Sequence, residues 1–387
     1  MSRDDDDLAH SARPCGPYGV VQTPVAGVHF SELMPMTAGL MDRCAVIRSL
    51  THKNSGHVPV PMMTGFDDKM TSHGAVVAKL KGALGGMPPY VHLGSKLNVG
   101  GGALGSAFDP LEVPDPSGRR SPLPDLALSQ HVPAARFQDR RELLRAFDAT
   151  RAAVHQSRDV ERMDEAHRRA ADLLTSGRVR AAFDLSRENP RLVERYDTSR
   201  FKTGLKRYRP STLGKQLLLA RRLCEAGCGF ITIHNPGWDM HGGPTQLNMQ
   251  RGMEELGRPV DHAVATFLGD VHQRGLSEKI LLIITGEFGR TPAVETNGRI
   301  NVQNGRDHNH LGFTYLLAGG GIKGGLAYGT TDEFGFVAEE NPVHLHDLHA
   351  TVLHQLGLNH ERLTYRYSGR DMRLTDVAGR VVKDILA

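Results

Sequence analysis

GFITIHNPGWDMHGGPTQLN at residues 229–248, KILLIITGEFGRTP at 279–292 and NGRDHNHLGFTYLLAGGGIKGG at 304–325 decide how the rest of the chain is read. Each joins an apolar, strand-like run to a polar segment rich in histidine or carboxylate. KILLIIT is almost unbroken in its apolar character, as expected of a central parallel strand covered on both faces. Between the first two stretches apolar residues recur at Met249, Met253, Leu256, Val260, Val264, Phe267 and Val271. That spacing predicts a helix from Thr245 to Arg274 packed on a sheet, with Pro259 as a kink point. Strand, helix and strand with polar groups at the strand ends is the layout of an α/β fold whose site lies beyond the sheet's carboxyl edge.

The polar segments supply the candidate residues. Asp239 and His241 are two apart, so in an extended segment their side chains point the same way and can share a metal ion. Glu287 and Arg290 follow KILLIIT directly. They read either as a buried ion pair or as a metal-binding carboxylate beside an anion-binding guanidinium. Asp307, His308 and His310 set a carboxylate next to two histidines, the densest metal-ligand signal in the sequence. Trp238, the one tryptophan, stands beside Asp239 and could wall a site.

Composition narrows the class. The 387 residues are 39% hydrophobic and 23% charged, ordinary for a soluble globular protein, and are enough to bury a large core. A net charge of +4 with no basic run interleaved with aromatics argues against nucleic acid as a partner. The 20 histidines, many beside carboxylates in the C-terminal half, point to metal. The four cysteines form no CxxC pair or zinc-finger spacing. No apolar run is long enough to span a membrane, and MSRDDDDLAHSARP lacks the regions of a signal peptide, so the chain as given is expected in the cytoplasm.

Along the chain, residues 1–25 are expected to be poorly ordered. FSELMPMTAGLM from Phe30 to Met41 suggests a short helix, and CAVIRSL from Cys44 to Leu50 a buried strand. The loop that follows carries His52, Ser55 and His57 on a connection of the kind where functional groups collect. Ser72 caps a helix reaching Leu84, and PPYVHL is a brief strand. NVGGGALG lacks the strand-to-helix context of a dinucleotide fingerprint. A charge-rich helical excursion occupies about 137–210. The helix from Gly214 to Ala226, ended by Gly227, returns the chain to the sheet.

RSLTHKNSGHVPVPMMTG, FDLSREN, GWDMHGGPTQLN, ITGEFGRTP, DHNHLGFTYLLAGGGIKGG, TDEFGF and the C-terminal NPVHLHDLHATVLHQLGLNHERLTYRYSGRD together resemble the DUF1501 family from about Val28 onward. That family is similar to the alkaline-phosphatase-like proteins, which include phosphatases, sulfatases and cofactor-independent phosphoglycerate mutases. The resemblance implies one domain over 26–387, a three-layer α/β/α core with a largely parallel central sheet and a helical insertion. It implies metal ligation by Asp239, His241, Glu287, Asp307, His308 and His310, with Ser55 as nucleophile, His57 as a further site residue and Arg290 offsetting anionic charge. Phe288 stands where those enzymes carry a histidine or asparagine, and Ser55–Gly56 replace an Asn-Asp pair of the family pattern. Relatives also open with an apolar strand and a GGPS-type segment absent from this start, and are often exported to the periplasm.

Two functions follow as expectations. One is a metal-dependent hydrolase of phosphate or sulfate esters, taking a small anionic ester and one or two divalent ions, zinc first, with calcium or manganese as alternatives. The other is a catalytically defective, truncated relative that binds without turning over.

Overall fold

The computed structural model describes residues 18–57, 59–67, 71–82, 84–113, 176–203, 209–243, 247–294 and 305–387, with the helical positions 136, 139, 140 and 142. In chain order the elements that position the site or build the cores are β1 (Cys44–Thr51), α1 (His73–Lys81), β2 (Tyr90–Gly94), β3 (Leu111–Val113), α2 (Leu213–Ala226), β4 (Phe230–His234), α3 (Met249–Gln273), β5 (Leu282–Ile284), β6 (Phe313–Ala318), β7 (Leu326–Tyr328), β8 (Val343–His344) and α4 (Leu345–Gln355). The chain is mixed α/β. Its described residues fall into two compact units, one drawn from Met1–Lys69, Arg195–Leu217 and Asn235–Ala387, the other from Met70–Glu194 and Leu218–His234.

The first unit is built on a five-stranded sheet in which β7, β1, β6 and β5 follow one another and β8 also pairs with β1. β1 is parallel to β7 and β8, whereas β6 runs antiparallel to both β1 and β5. The β-branched and small residues of β1 are buried on both faces, with Arg48 the exposed exception. Ala45, Ile47 and Leu50 meet Phe313, Tyr315 and Leu317 of β6 and Leu348 and Val352 of α4 in one core. KILLIIT therefore differs from its expectation. Only Leu282–Ile284 is strand, it is half-buried, and it pairs antiparallel at the end of this ladder. The glycine-rich turn after β6 brings the chain back close enough for a short antiparallel pairing, which a parallel neighbour would not need.

α3 begins at Asn248, whose side chain accepts the Arg251 N–H at 2.8 Å, and runs through Pro259. Its Leu256, Val264, Phe267 and Val271 are buried, as the spacing predicts. Asp261 accepts the Thr37 and Met36 N–H groups at 2.7 and 3.1 Å and so supplies the missing cap of the short helix Pro35–Ala38. The Phe30–Met41 segment is thus shorter in helix than expected. Residues His29–Ser31 instead pair with Val20–Gln22, a strand inside the span expected to be poorly ordered. Residues 1–17 lie outside the described residues.

The second unit holds an all-parallel sheet in the order β3, β2, β4. Ser72 caps α1 as expected, accepting the Ala75 N–H at 3.2 Å. Val91, Leu93 and Val113 pack with Val179 and Phe183 and with Leu219 and Leu223 of α2. Gly227, at φ +109°, ends α2 in a backbone region that disfavours any side chain. Glu188 of the FDLSREN motif bonds both Arg221 and Arg222 at 2.5 and 2.9 Å. Burial would raise its carboxyl, but the two guanidiniums outweigh that and hold it down to about 2. Most of the helical excursion expected at 137–210 lies outside the described residues. Its described part contains helices Gly177–Phe183 and Pro190–Arg195 and a small ladder between Lys202–Thr203 and Arg209–Pro210. The three stretches quoted at the outset do not share one ladder, since β4 belongs to the all-parallel sheet and β5 and β6 to the mixed one.

Candidate metal centre

Four segments of the first unit bring polar groups together. After β4 the chain runs extended, and Met240 is buried with Leu247 and Leu256, while Trp238, Met249 and Met253 pack against that cluster. Anchoring the middle residue turns its neighbours the other way, so Asp239 and His241 share a side. Arg290 pairs with His308 in a two-residue antiparallel ladder, Gly289–Arg290 against His308–Asn309. His57 comes from the loop after β1, which is shaped by an Asx turn in which Asn54 Oδ1 accepts the Gly56 N–H at 2.7 Å.

The side chains of His57, Asp239, His241 and His308 converge, each offering one ligand atom, all within 4.8 Å of one another. Asp239 Oδ1 lies 2.9 Å from Nε2 of both His57 and His241 and 3.9 Å from Nε2 of His308. His241 Nε2 and His308 Nε2 are 2.9 Å apart. Nitrogen and oxygen ligands about 2.0–2.1 Å from a tetrahedral ion sit roughly 3.3 Å from one another, which is the spacing found here. Lone-pair atoms at such separations repel unless protons or a cation lie between them. Burial pushes the His308 imidazole below its ordinary pKa; the Ser55 carbonyl opposes this and Arg290 adds to it. A neutral imidazole is the form that binds a metal.

The outer atoms of two rings are fixed. His57 Nδ1 faces Glu287 Oε1 at 3.1 Å, and His308 Nδ1 faces the Ser55 carbonyl oxygen. With Nδ1 donating, each ring turns its Nε2 lone pair inward, as metal-bound histidines do. Phe288 stacks on the His308 ring at 4.0 Å and 25°, holding its plane. Arg290 closes one side, its Nη2 3.2 Å from Asp239 Oδ1 and 2.9 Å from the Trp238 carbonyl, its Nη1 3.0 Å from the Arg306 carbonyl.

The sequence-derived candidates thus divide. Asp239, His241 and His308 are in the cluster, and His57, expected as a catalytic group, joins them as a metal-capable donor. Glu287 stands behind His57 rather than in the cluster, and Arg290 stands beside it. Ser55 approaches through its main-chain oxygen. Asp307 is exposed and accepts the His308 N–H at 2.7 Å, and His310 meets the His52 N–H with its carbonyl at 3.1 Å. Sequence reasoning missed Met240 and the stacking role of Phe288. The two-residue period around Met240, apolar between Asp239 and His241, is the signal that could have found the first.

The family model described as protein of unknown function (DUF1501) matches residues 6–386. The chain belongs to the DUF1501 family. No curated protein matches the sequence. A solved structure titled "Crystal structure of Ps i-CgsB" is similar at 10% identity and a TM-score of 0.37, covering 84% of this DUF1501 chain and 67% of that one. No described helix is long and apolar enough to cross a membrane.

Proposed function

We propose that this DUF1501 chain is a metal-dependent hydrolase of phosphate or sulfate esters, built on an alkaline-phosphatase-like core. The observation that carries the reading is the convergence of His57, Asp239, His241 and His308 with the Arg290 guanidinium alongside. Three imidazole nitrogens and one carboxylate oxygen are a donor set suited to zinc. A divalent ion held there would polarise an ester oxygen as a Lewis acid. Arg290 would orient the anionic ester and stabilise charge that develops on it. Glu287 and the Ser55 carbonyl keep their histidines in the tautomer that faces inward. The likeness of ITGEFGRTP and DHNHLGFTYLLAGGG to superfamily motifs supports the wider fold reading.

Phe288 favours a second reading. It fills the place beside the centre where similar enzymes carry a polar ligand, so the chain could hold an ion and an anion without turnover. Elemental analysis of the purified chain, with Asp239→Ala alongside, decides the first step. One or two ions per chain, lost in the variant, are expected; a folded wild type without metal would sink the proposal. Release of p-nitrophenol from its phosphate or sulfate ester by the loaded protein then separates hydrolase from binder.

A further inference from the structure

His52 follows β1 directly and is 7% exposed, yet every polar atom of it that has a partner reaches a segment carrying the candidate centre. Its main-chain N–H donates to the His310 carbonyl at 3.1 Å, tying down the strand end that carries His308. Its Nδ1 accepts the Asn54 N–H at 2.9 Å, setting the turn that leads to His57. Its Nε2 lies against the Glu287 carbonyl oxygen. Phe313 holds the ring edge-on at 5.4 Å and 87°. Because Nδ1 accepts a backbone N–H, the one proton of the neutral ring sits on Nε2 and donates to Glu287. Burial pushes the His52 pKa down, which favours that neutral form.

We propose that His52 is a positioning residue for the metal centre: its ring locks the Glu287 main chain to the Asn54–His57 turn, so that the Glu287 carboxylate meets His57 Nδ1 and His57 Nε2 is delivered to the cluster. The proposal rests on reading the cluster as a divalent-cation site. A histidine buried only to fill space would bond to whatever core carbonyl lay nearest. Here the three contacts reach three segments, and each segment carries a residue of the centre or its support.

The test uses the full chain, stripped of metal and titrated with Zn²⁺ against a competing chelator. A parallel Co²⁺ titration is followed by visible absorption, and thermal melting is recorded on the same samples. His52→Asn keeps an acceptor near the Nδ1 position but cannot reach Glu287, whereas His52→Gln places an amide N–H near the Nε2 position. The asparagine variant is expected to bind Zn²⁺ about 10–100-fold more weakly, as for other outer partners of metal ligands, with an altered Co²⁺ band, and glutamine to restore most of the affinity. Folded variants that bind as tightly as wild type would overturn the proposal and leave the cluster reading standing. A wild type that binds neither ion would overturn both. Nitrogen-15 NMR of the wild-type histidines gives a decision free of folding risk: the Nε2–H neutral form of His52 is expected near pH 7.5, and an Nδ1–H or charged ring there would refute the assignment.

Discussion

Replacing Glu287 by glutamine leaves an oxygen able to accept the His57 Nδ1–H but removes the charge that strengthens the ring as a donor. Zinc affinity is expected to fall about 10-fold for Glu287→Gln and by up to about 100-fold for Glu287→Ala, read by chelator competition. If both variants lost the ion altogether, as Asp239→Ala is expected to, Glu287 would have to be a direct ligand after all. The residue types of the centre were legible in the sequence because metal ligands are a short list and theirs are clustered. Their division into inner and outer groups was not. Glu287 and Asp307 carry the same kind of carboxylate as Asp239, and only the direction of the main chain settles that one reaches a ring, one caps a backbone N–H and one joins the cluster.

At the level of elements, the extended segment after β4 is held by one apolar side chain. Met240 packs with Leu247 and Leu256 and touches the place where a Cβ on Gly252 of α3 would stand, 2.8 Å from its Cγ. Met240→Ala is expected to cost about 2–5 kcal/mol in urea unfolding and to weaken metal binding as Asp239 and His241 lose their fixed direction. A variant destabilised by that amount but binding zinc as wild type does would show that the ligands hold themselves in place. Helices α1, α2 and α3 and strands β1, β2 and β4 were readable from period, caps and β-branched runs, because local chemistry dictates them. The pairing partners were not. β5 looks from its composition like the centre of a parallel sheet, but its neighbour is chosen by the turn after β6, which places an antiparallel partner beside it.

For the molecule as a whole, pH acts through buried imidazoles. Burial lowers the pKa of His52, His308, His344 and His360 in the folded chain. The unfolded chain therefore binds more protons at moderately acid pH. Stability from these rings is complete above their unfolded value, about 6.5, and is lost as pH falls through their lower folded values. Glu188 adds a separate window, with stability present above about 4.3 and lost as pH falls toward about 2. The metal-free protein should show a falling urea midpoint between about pH 7 and 5, then a second decline under strong acid; a midpoint that rose on mild acidification would contradict the burial of these rings. Trp238 makes one part of this visible. As the chain's single tryptophan, with its indole N–H on the Asn235 carbonyl and its own carbonyl on Arg290, it is the source of all indole fluorescence. The emission of the unlabelled protein thus comes from beside Asp239 alone, and arrival of an ion at the cluster should be readable as a change in colour or brightness without any probe attached.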